Sequence, residues 1–257
     1  KMAENQYGFP TEVLSLPSKG LLYPEDSPLR SGTIDVKYMT AKEEDILTSQ
    51  NLITQGVVIE RLLQSVIATP GVKLDDLLIG DKNALMVGTR VLGYGKDYNV
   101  VILDPDTNEE ADTTIDLSTL GHKKFDESLF ENGNNFEFEL PNSKRKLEFK
   151  LLTNKDEVKI EGVLKSLEKA EKITGVSTEI TTRLKYQIQS VDGDKTQTTI
   201  DKFVDNEFLA LDARAYRQYA QSIAPDVDLT VDYTTGNGNI VKVGVPLGLD
   251  FFWPAAE

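Results

Sequence analysis

The chain has no cysteine and a single histidine, His122. Without cysteine there is no disulfide and no thiolate metal site, and a reducing compartment is compatible. Catalysis by a Ser–His–Asp or Cys–His set needs a positioned imidazole. His122 follows Gly121 in a polar stretch and reads as a solvated loop residue. No apolar run approaches the roughly 18 residues of a membrane span. The opening residues Lys1-Met-Ala-Glu-Asn-Gln lack the apolar core of a signal peptide, so the expectation is a soluble protein used in a cytoplasm or released from one. Basic charge is also scarce. Lys and Arg number 28 against 42 Asp and Glu, a net charge of −14. A surface of that sign repels phosphates and opposes nonspecific binding to nucleic acid. The short cluster Lys144-Arg145-Lys146 reads as a solvated face.

What is present suffices for a real core. The 257 residues are 39% apolar and 27% charged, which fits one large domain or two ordinary ones. Residues 1–32 read as an extended N-terminal arm, because Pro10, Pro17, Pro24 and Pro28, with Gly8, Gly20 and Gly32, forbid a long helix. Its apolar residues, Leu14, Leu16, Leu21, Leu22 and Tyr23, should lie against something. A first α+β unit then spans 33–120. It opens with an alternating strand over 33–39 and a helix from 41 to about 50, announced by Thr40 and Glu43 as a capping box. Further helices are expected over 55–68 and from Gly80 or Asp81 to about Leu92, then strands over 98–103 and about 112–117 around the turn Asp104-Pro-Asp-Thr-Asn108.

Residues 121–135 read as a polar connector and mark the domain boundary. The second unit, 136–257, should contain strands at 136–140 and 147–152 and a helix from Thr153 to about Ile173. A helix over 178–191 follows, then helices over 199–211 and 212–223 or one bent helix across both, and then strands at 227–233 and 240–245 around a Gly-Asn turn. The order strand, helices, hairpin therefore occurs twice. Leu16-Pro-Ser18 matches Leu140-Pro-Asn142, Thr40-Ala-Lys-Glu-Glu44 matches Thr153-Asn-Lys-Asp-Glu157, and Arg61-Leu62 matches Arg183-Leu184. Asp81, Leu85 and Arg90 match Asp205, Leu209 and Arg214. The fold class expected is α+β with an internal duplication.

Other motifs offer little chemistry. Glu43-Glu44 is the most tempting pair for acid–base work, but helix neighbours point about 100° apart and Glu43 has a capping role. Gly93-Tyr-Gly-Lys-Asp97 lacks the P-loop spacing and follows a helix rather than a strand. Asp192-Gly-Asp-Lys-Thr196 starts like an EF-hand loop but has Gln197 at the sixth position and Phe203 at the twelfth. Catalytic, metal and cofactor residues are therefore expected to be none. The chain's only tryptophan lies beside two phenylalanines in Phe251-Phe-Trp-Pro254. That cluster either packs back on its own domain or anchors a partner, and the same choice holds for the arm. The candidate partner-contact residues are Leu21, Leu22, Tyr23, Phe251, Phe252 and Trp253.

Read together, Leu16-Pro-Ser-Lys-Gly20, Thr40-Ala-Lys-Glu-Glu-Asp-Ile-Leu47, the Gly80-Asp81 helix leading to Tyr94-Gly-Lys-Asp-Tyr98, Leu211-Asp-Ala-Arg-Ala-Tyr-Arg-Gln-Tyr219, Pro225-Asp-Val-Asp228 and the Phe251–Pro254 ending resemble the T-even-type phage baseplate hub family. The resemblance covers about residues 14–254. It implies a non-enzymatic structural or assembly protein of a contractile phage tail, with other tail and baseplate proteins as partners, located in the virion or in the host cytoplasm during assembly. It also leaves open a tail assembly chaperone for the tape-measure protein. A carboxylate-dependent hydrolase would need two acids facing each other across a cleft. Many family members carry a C-P-x-C-like knuckle in each hairpin, which looks like a zinc site. Here those positions read Asp104-Pro-Asp-Thr107 and Thr234-Thr-Gly-Asn237, so the resemblance implies hairpins without zinc.

Overall fold

The computed structural model describes residues 8–247 and 249–252. The N-terminal stretch expected as an arm contributes a strand. Thr11–Ser15 (β1) pairs antiparallel with Thr33–Lys37 (β2), Val13 opposite Asp35. Between them the chain folds over so closely that a Cβ on Gly20 would lie 2.4 Å from the Arg30 carbonyl oxygen, at a φ of +76°. Only glycine fits both the left-handed backbone and the contact.

Ala41–Leu47 forms α1, Gln50–Gln55 α2 and Val58–Val66 α3. The helix expected over 55–68 starts later, because Gly56 takes a φ of +71° and caps α2. Val58, Leu62, Leu63 and Val66 are buried along one stripe of α3. Ile79–Tyr94 is α4, and Asp97–Leu103 (β3) and Glu110–Asp116 (β4) form the expected hairpin. Residues 121–135 are more than a connector. The backbone at His122 bridges to Val227, and Phe130 is buried between Phe125 and Phe136, with ring centroids 4.9 and 5.6 Å away.

Phe136–Glu139 (β5) and Lys146–Phe149 (β6) lead into Asn154–Thr174 (α5) and Glu179–Gln187 (α6). The expected helix over 178–191 stops at Gln187, and Ile188–Val191 is a strand, β7, completing the sheet β5–β6–β7. Leu184, Ile188 and Val191 fit a helical stripe as well as a strand. Pairing decides the matter: β7 aligns Val191 with Leu147 and Ile188 with Phe149, and Ile188, Ser190 and Val191 are buried there. Gln197–Lys202 (α7) runs into a π-helical turn, Phe203–Glu207, before Ala210–Ile223 (α8). Thr230–Thr234 (β8) and Ile240–Gly244 (β9) form the last hairpin. The architecture is α+β, with helices around small antiparallel sheets.

Both halves share a core. Leu29, Val36, Leu62 and Leu85 belong to the same buried cluster as Phe149, Tyr216 and Phe251. The halves are also stapled by backbone. The Ile79 N–H donates to the Leu152 carbonyl at 3.2 Å and the Asn154 N–H to the Leu77 carbonyl at 2.8 Å. Asn154, fully buried, adds side-chain bonds to Glu60 and Lys82 at 2.7 Å each.

Candidate functional site

The capping sequence at Thr40 places Glu43 on the inner side of α1, where it is wholly buried, while Glu44 faces solvent. One Glu43 oxygen accepts from Lys37 Nζ at 2.7 Å and Ser65 Oγ at 3.2 Å. The other accepts from the Thr40 N–H at 2.9 Å and the Thr40 hydroxyl at 2.7 Å. Burial pushes its carboxyl up, but the Lys37 and Thr40 hydrogen bonds outweigh burial and hold it down at about 2. A carboxylate so satisfied is a poor proton acceptor and is never an acid at neutral pH. Glu43 and Glu44 are therefore not a facing pair.

The same arrangement occurs at α5. Asp156 accepts from Lys150 Nζ at 2.8 Å and from the Thr153 N–H and hydroxyl at 3.1 Å each. Burial again raises this carboxyl, and Lys150 and Thr153 more than offset it, leaving it below the usual range. Lysine, threonine and acid at 37, 40 and 43 recur at 150, 153 and 156.

A second pair of buried carboxylates sits at the third residue of α4 and of α8. Asp81 accepts from the Ser18 N–H at 2.9 Å, the Ser18 hydroxyl at 2.6 Å and the Tyr23 hydroxyl at 2.6 Å. Asp212 accepts from the Asn142 N–H at 2.8 Å, the Asn142 amide at 2.9 Å and the Ser143 N–H at 3.0 Å. Both acids lie near a helix N-terminus and anchor the turn after a Leu-Pro pair. They titrate in opposite directions. For Asp81, burial wins and its carboxyl is raised. For Asp212, burial is outweighed by the Asn142 and Ser143 donors, which hold it at about 2. The hydrogen bonding corrects one sequence pairing: the residue bonded as Asp81 is bonded is Asp212, not Asp205. Asp205 lies in the π-helical turn and pairs with Lys185 at 2.8 Å. The position of Asp in the helix, third from its start, was the available signal.

The contact candidates fall mostly inside. Leu22 and Tyr23 are buried and Leu21 is half-buried. The Tyr23 hydroxyl also accepts the Leu78 N–H at 2.9 Å; burial and the Asp81 carboxylate push it far above the ordinary phenol range. Phe251 and Phe252 are fully buried, and Phe251 meets the Tyr98 ring edge-on at 5.1 Å. The Phe252 ring in turn meets Phe251 edge-on at 5.3 Å. Trp253 lies outside the described residues. His122 is exposed, as a loop histidine should be.

Sequence reasoning treated the two hairpin turns as separate, and the structure brings them together. Asp104, 3% exposed, accepts the N–H groups of Asp106 and Thr107 at 2.9 and 3.1 Å. Its other oxygen crosses to the second hairpin and accepts the Gly236 N–H at 2.7 Å and the Tyr233 hydroxyl at 3.1 Å. Asp106 accepts from the Thr235 hydroxyl at 2.6 Å and the Asn239 amide at 2.8 Å. Burial raises the Asp104 carboxyl, but the backbone donors of Gly236, Asp106 and Thr107 outweigh it and hold it below the usual range. Zinc needs electron-pair donors directed at one point. The groups directed at Asp104 are N–H and O–H donors, so these residues do not fit a zinc site of the kind that cysteine knuckles in these hairpins would suggest. Among the described residues no group of three or more His, Asp or Glu side chains is arranged to hold a metal ion, and no helix is long and apolar enough to cross a membrane.

What the fold and these sites define is a protein whose buried acids hold helix starts and turns. The family that matches it is described as T4 bacteriophage base plate protein, over residues 15–245, and the chain belongs to that family. No curated protein and no solved structure shows significant similarity to it.

Proposed function

We propose that the chain is a non-enzymatic structural component of a contractile phage tail, acting at the baseplate hub through contacts with other tail proteins. The observation that carries this reading is the family match across residues 15–245. The saturation of Glu43, Asp81, Asp156 and Asp212 by internal donors supports the absence of acid–base catalysis at these carboxylates. Partner contacts fall to the remaining surface, which is strongly acidic, and to Leu21, which keeps part of its side chain open.

The fold itself is read as a duplication. It is supported by the recurring Lys-Thr-acid set at each first helix, by the recurring Asp at the third residue of α4 and α8, and by the antiparallel hairpin that follows each of those helices. Mass spectrometry of purified virions tests the role. Peptides of this chain in intact particles, lost with the baseplate on dissociation, are the expected result. Absence from particles, with recovery on the tape-measure protein in infected cells, would instead support an assembly chaperone.

A further inference from the structure

The hairpin turns of the two halves lie 132 residues apart in sequence yet share one set of hydrogen bonds. A Cβ placed on Gly236 would stand 3.1 Å from the Thr107 methyl and 3.7 Å from an Asp104 carboxylate oxygen. Positions 104–107 and 234–237 are therefore two sides of a single small space. If cysteine knuckles occupied both turns, they would face one another across it.

The charge logic of this space is the inverse of a metal site. A zinc knuckle places a cation among thiolates. Here one carboxylate sits among donors: two N–H groups from its own turn, one N–H and one hydroxyl from the opposite turn. One Asp106 oxygen also accepts from the opposite hairpin, from the Thr235 hydroxyl and the Asn239 amide. Both Asp104 oxygens accept two hydrogen bonds each, so the lone pairs that a cation would need there are engaged, and hydrogen bonds to an ionised acceptor are the stronger kind. At the other end the hairpins are joined by backbone. The Lys123 N–H donates to the Asp226 carbonyl at 2.8 Å and the Asp228 N–H to the Gly121 carbonyl at 2.7 Å. Among the described residues no ladder joins β4 to β8, and the tips are a further point of attachment.

We infer that the two hairpin tips form one metal-independent clasp, centred on the Asp104 carboxylate, which couples the hairpin of the first half to that of the second. Three measurements on the full chain test it. Elemental analysis and thermal melting with and without a strong zinc chelator should show far less than one metal equivalent and a melting temperature unchanged to about 1 °C. Stoichiometric metal, or a chelator-dependent fall, overturns the inference. Asp104→Asn keeps the size and removes the charge. Amide exchange at Gly236 and Thr107 should then accelerate roughly tenfold while exchange in α5 stays as it was. Unchanged exchange at the tips overturns it. The combined Asp104→Cys, Thr107→Cys, Thr234→Cys and Asn237→Cys variant should bind a single cobalt ion per folded chain with a tetrahedral thiolate spectrum. Two ions per chain would mean that the tips are separate sites.

Discussion

Replacing Glu43 with glutamine separates the charge at the first helix start from its packing. The side chain is fully buried, and its carboxyl is held at about 2 against an ordinary 4.5. At about 1.4 kcal/mol per pH unit, that interval corresponds to about 3 kcal/mol of folding stability at neutral pH. The sign follows from the depressed value. Both folded and unfolded chains carry the ionised carboxylate above about pH 4.5, and the full contribution is present there. As pH falls toward about 2, the unfolded chain takes up the proton first, and the contribution drains away. Lys37, its partner, keeps 19% of its side chain in solvent, so removing the carboxylate leaves an ammonium that water can still reach.

Urea unfolding of the wild type and of Glu43→Gln, followed by far-UV circular dichroism between about pH 2.5 and 7, yields the difference in stability at each pH. The expected difference is about 2–3 kcal/mol at pH 7 and shrinks continuously below about pH 4.5. Other depressed carboxylates, Asp212 and Asp116 among them, titrate in both proteins and cancel in the difference. A difference that is constant with pH would show that shape, not charge, fixes this residue. No difference at pH 7 would refute the reasoning outright.

Three further substitutions probe other parts of the frame. Gly80→Ala would put a Cβ 1.8 Å from the Pro225 carbonyl oxygen, so α4 must shift; a loss of about 1–3 kcal/mol is expected in urea unfolding. Tyr23→Phe removes one donor from Asp81 and orphans the buried Leu78 N–H, with an expected cost of about 1–3 kcal/mol by the same assay. Phe149→Ala empties the place where Phe136 and Tyr216 rings meet at 5.4 and 5.1 Å, and should cost about 3–5 kcal/mol.

Features encoded locally were legible in the sequence. The capping residues at Thr40 and Thr153, the two hairpins and the α3 stripe all depend on neighbours within a few positions. What sequence reading missed depends on distant partners. Ile188–Val191 became a strand because β6 offered an unpaired edge, which no local pattern reveals. Thr11–Ser15 did likewise beside β2, within a stretch whose prolines argued only against helix. Asp205 was matched to Asp81 by residue type and spacing, whereas the bonds that resemble those of Asp81 are made by Asp212. The meeting of the hairpin tips was the least legible, since Asp104 and Gly236 are each unremarkable turn residues until they are seen together.

The acids of this chain divide into two populations with different consequences. Glu43, Asp81, Asp104, Asp156 and Asp212 are buried, and each spends its lone pairs on hydroxyl, amide, backbone or lysine donors. They specify where helices begin and where turns lock, because a buried carboxylate without such donors is too costly to keep. Most of the other described acids are at least partly open to solvent, and over the whole chain 42 acidic residues against 28 basic ones give a net charge of −14. A charge of that sign repels phosphates and attracts basic groups, more weakly as salt rises. The buried acids therefore serve the fold, and holding a helix start or a turn requires none of them to exchange a proton.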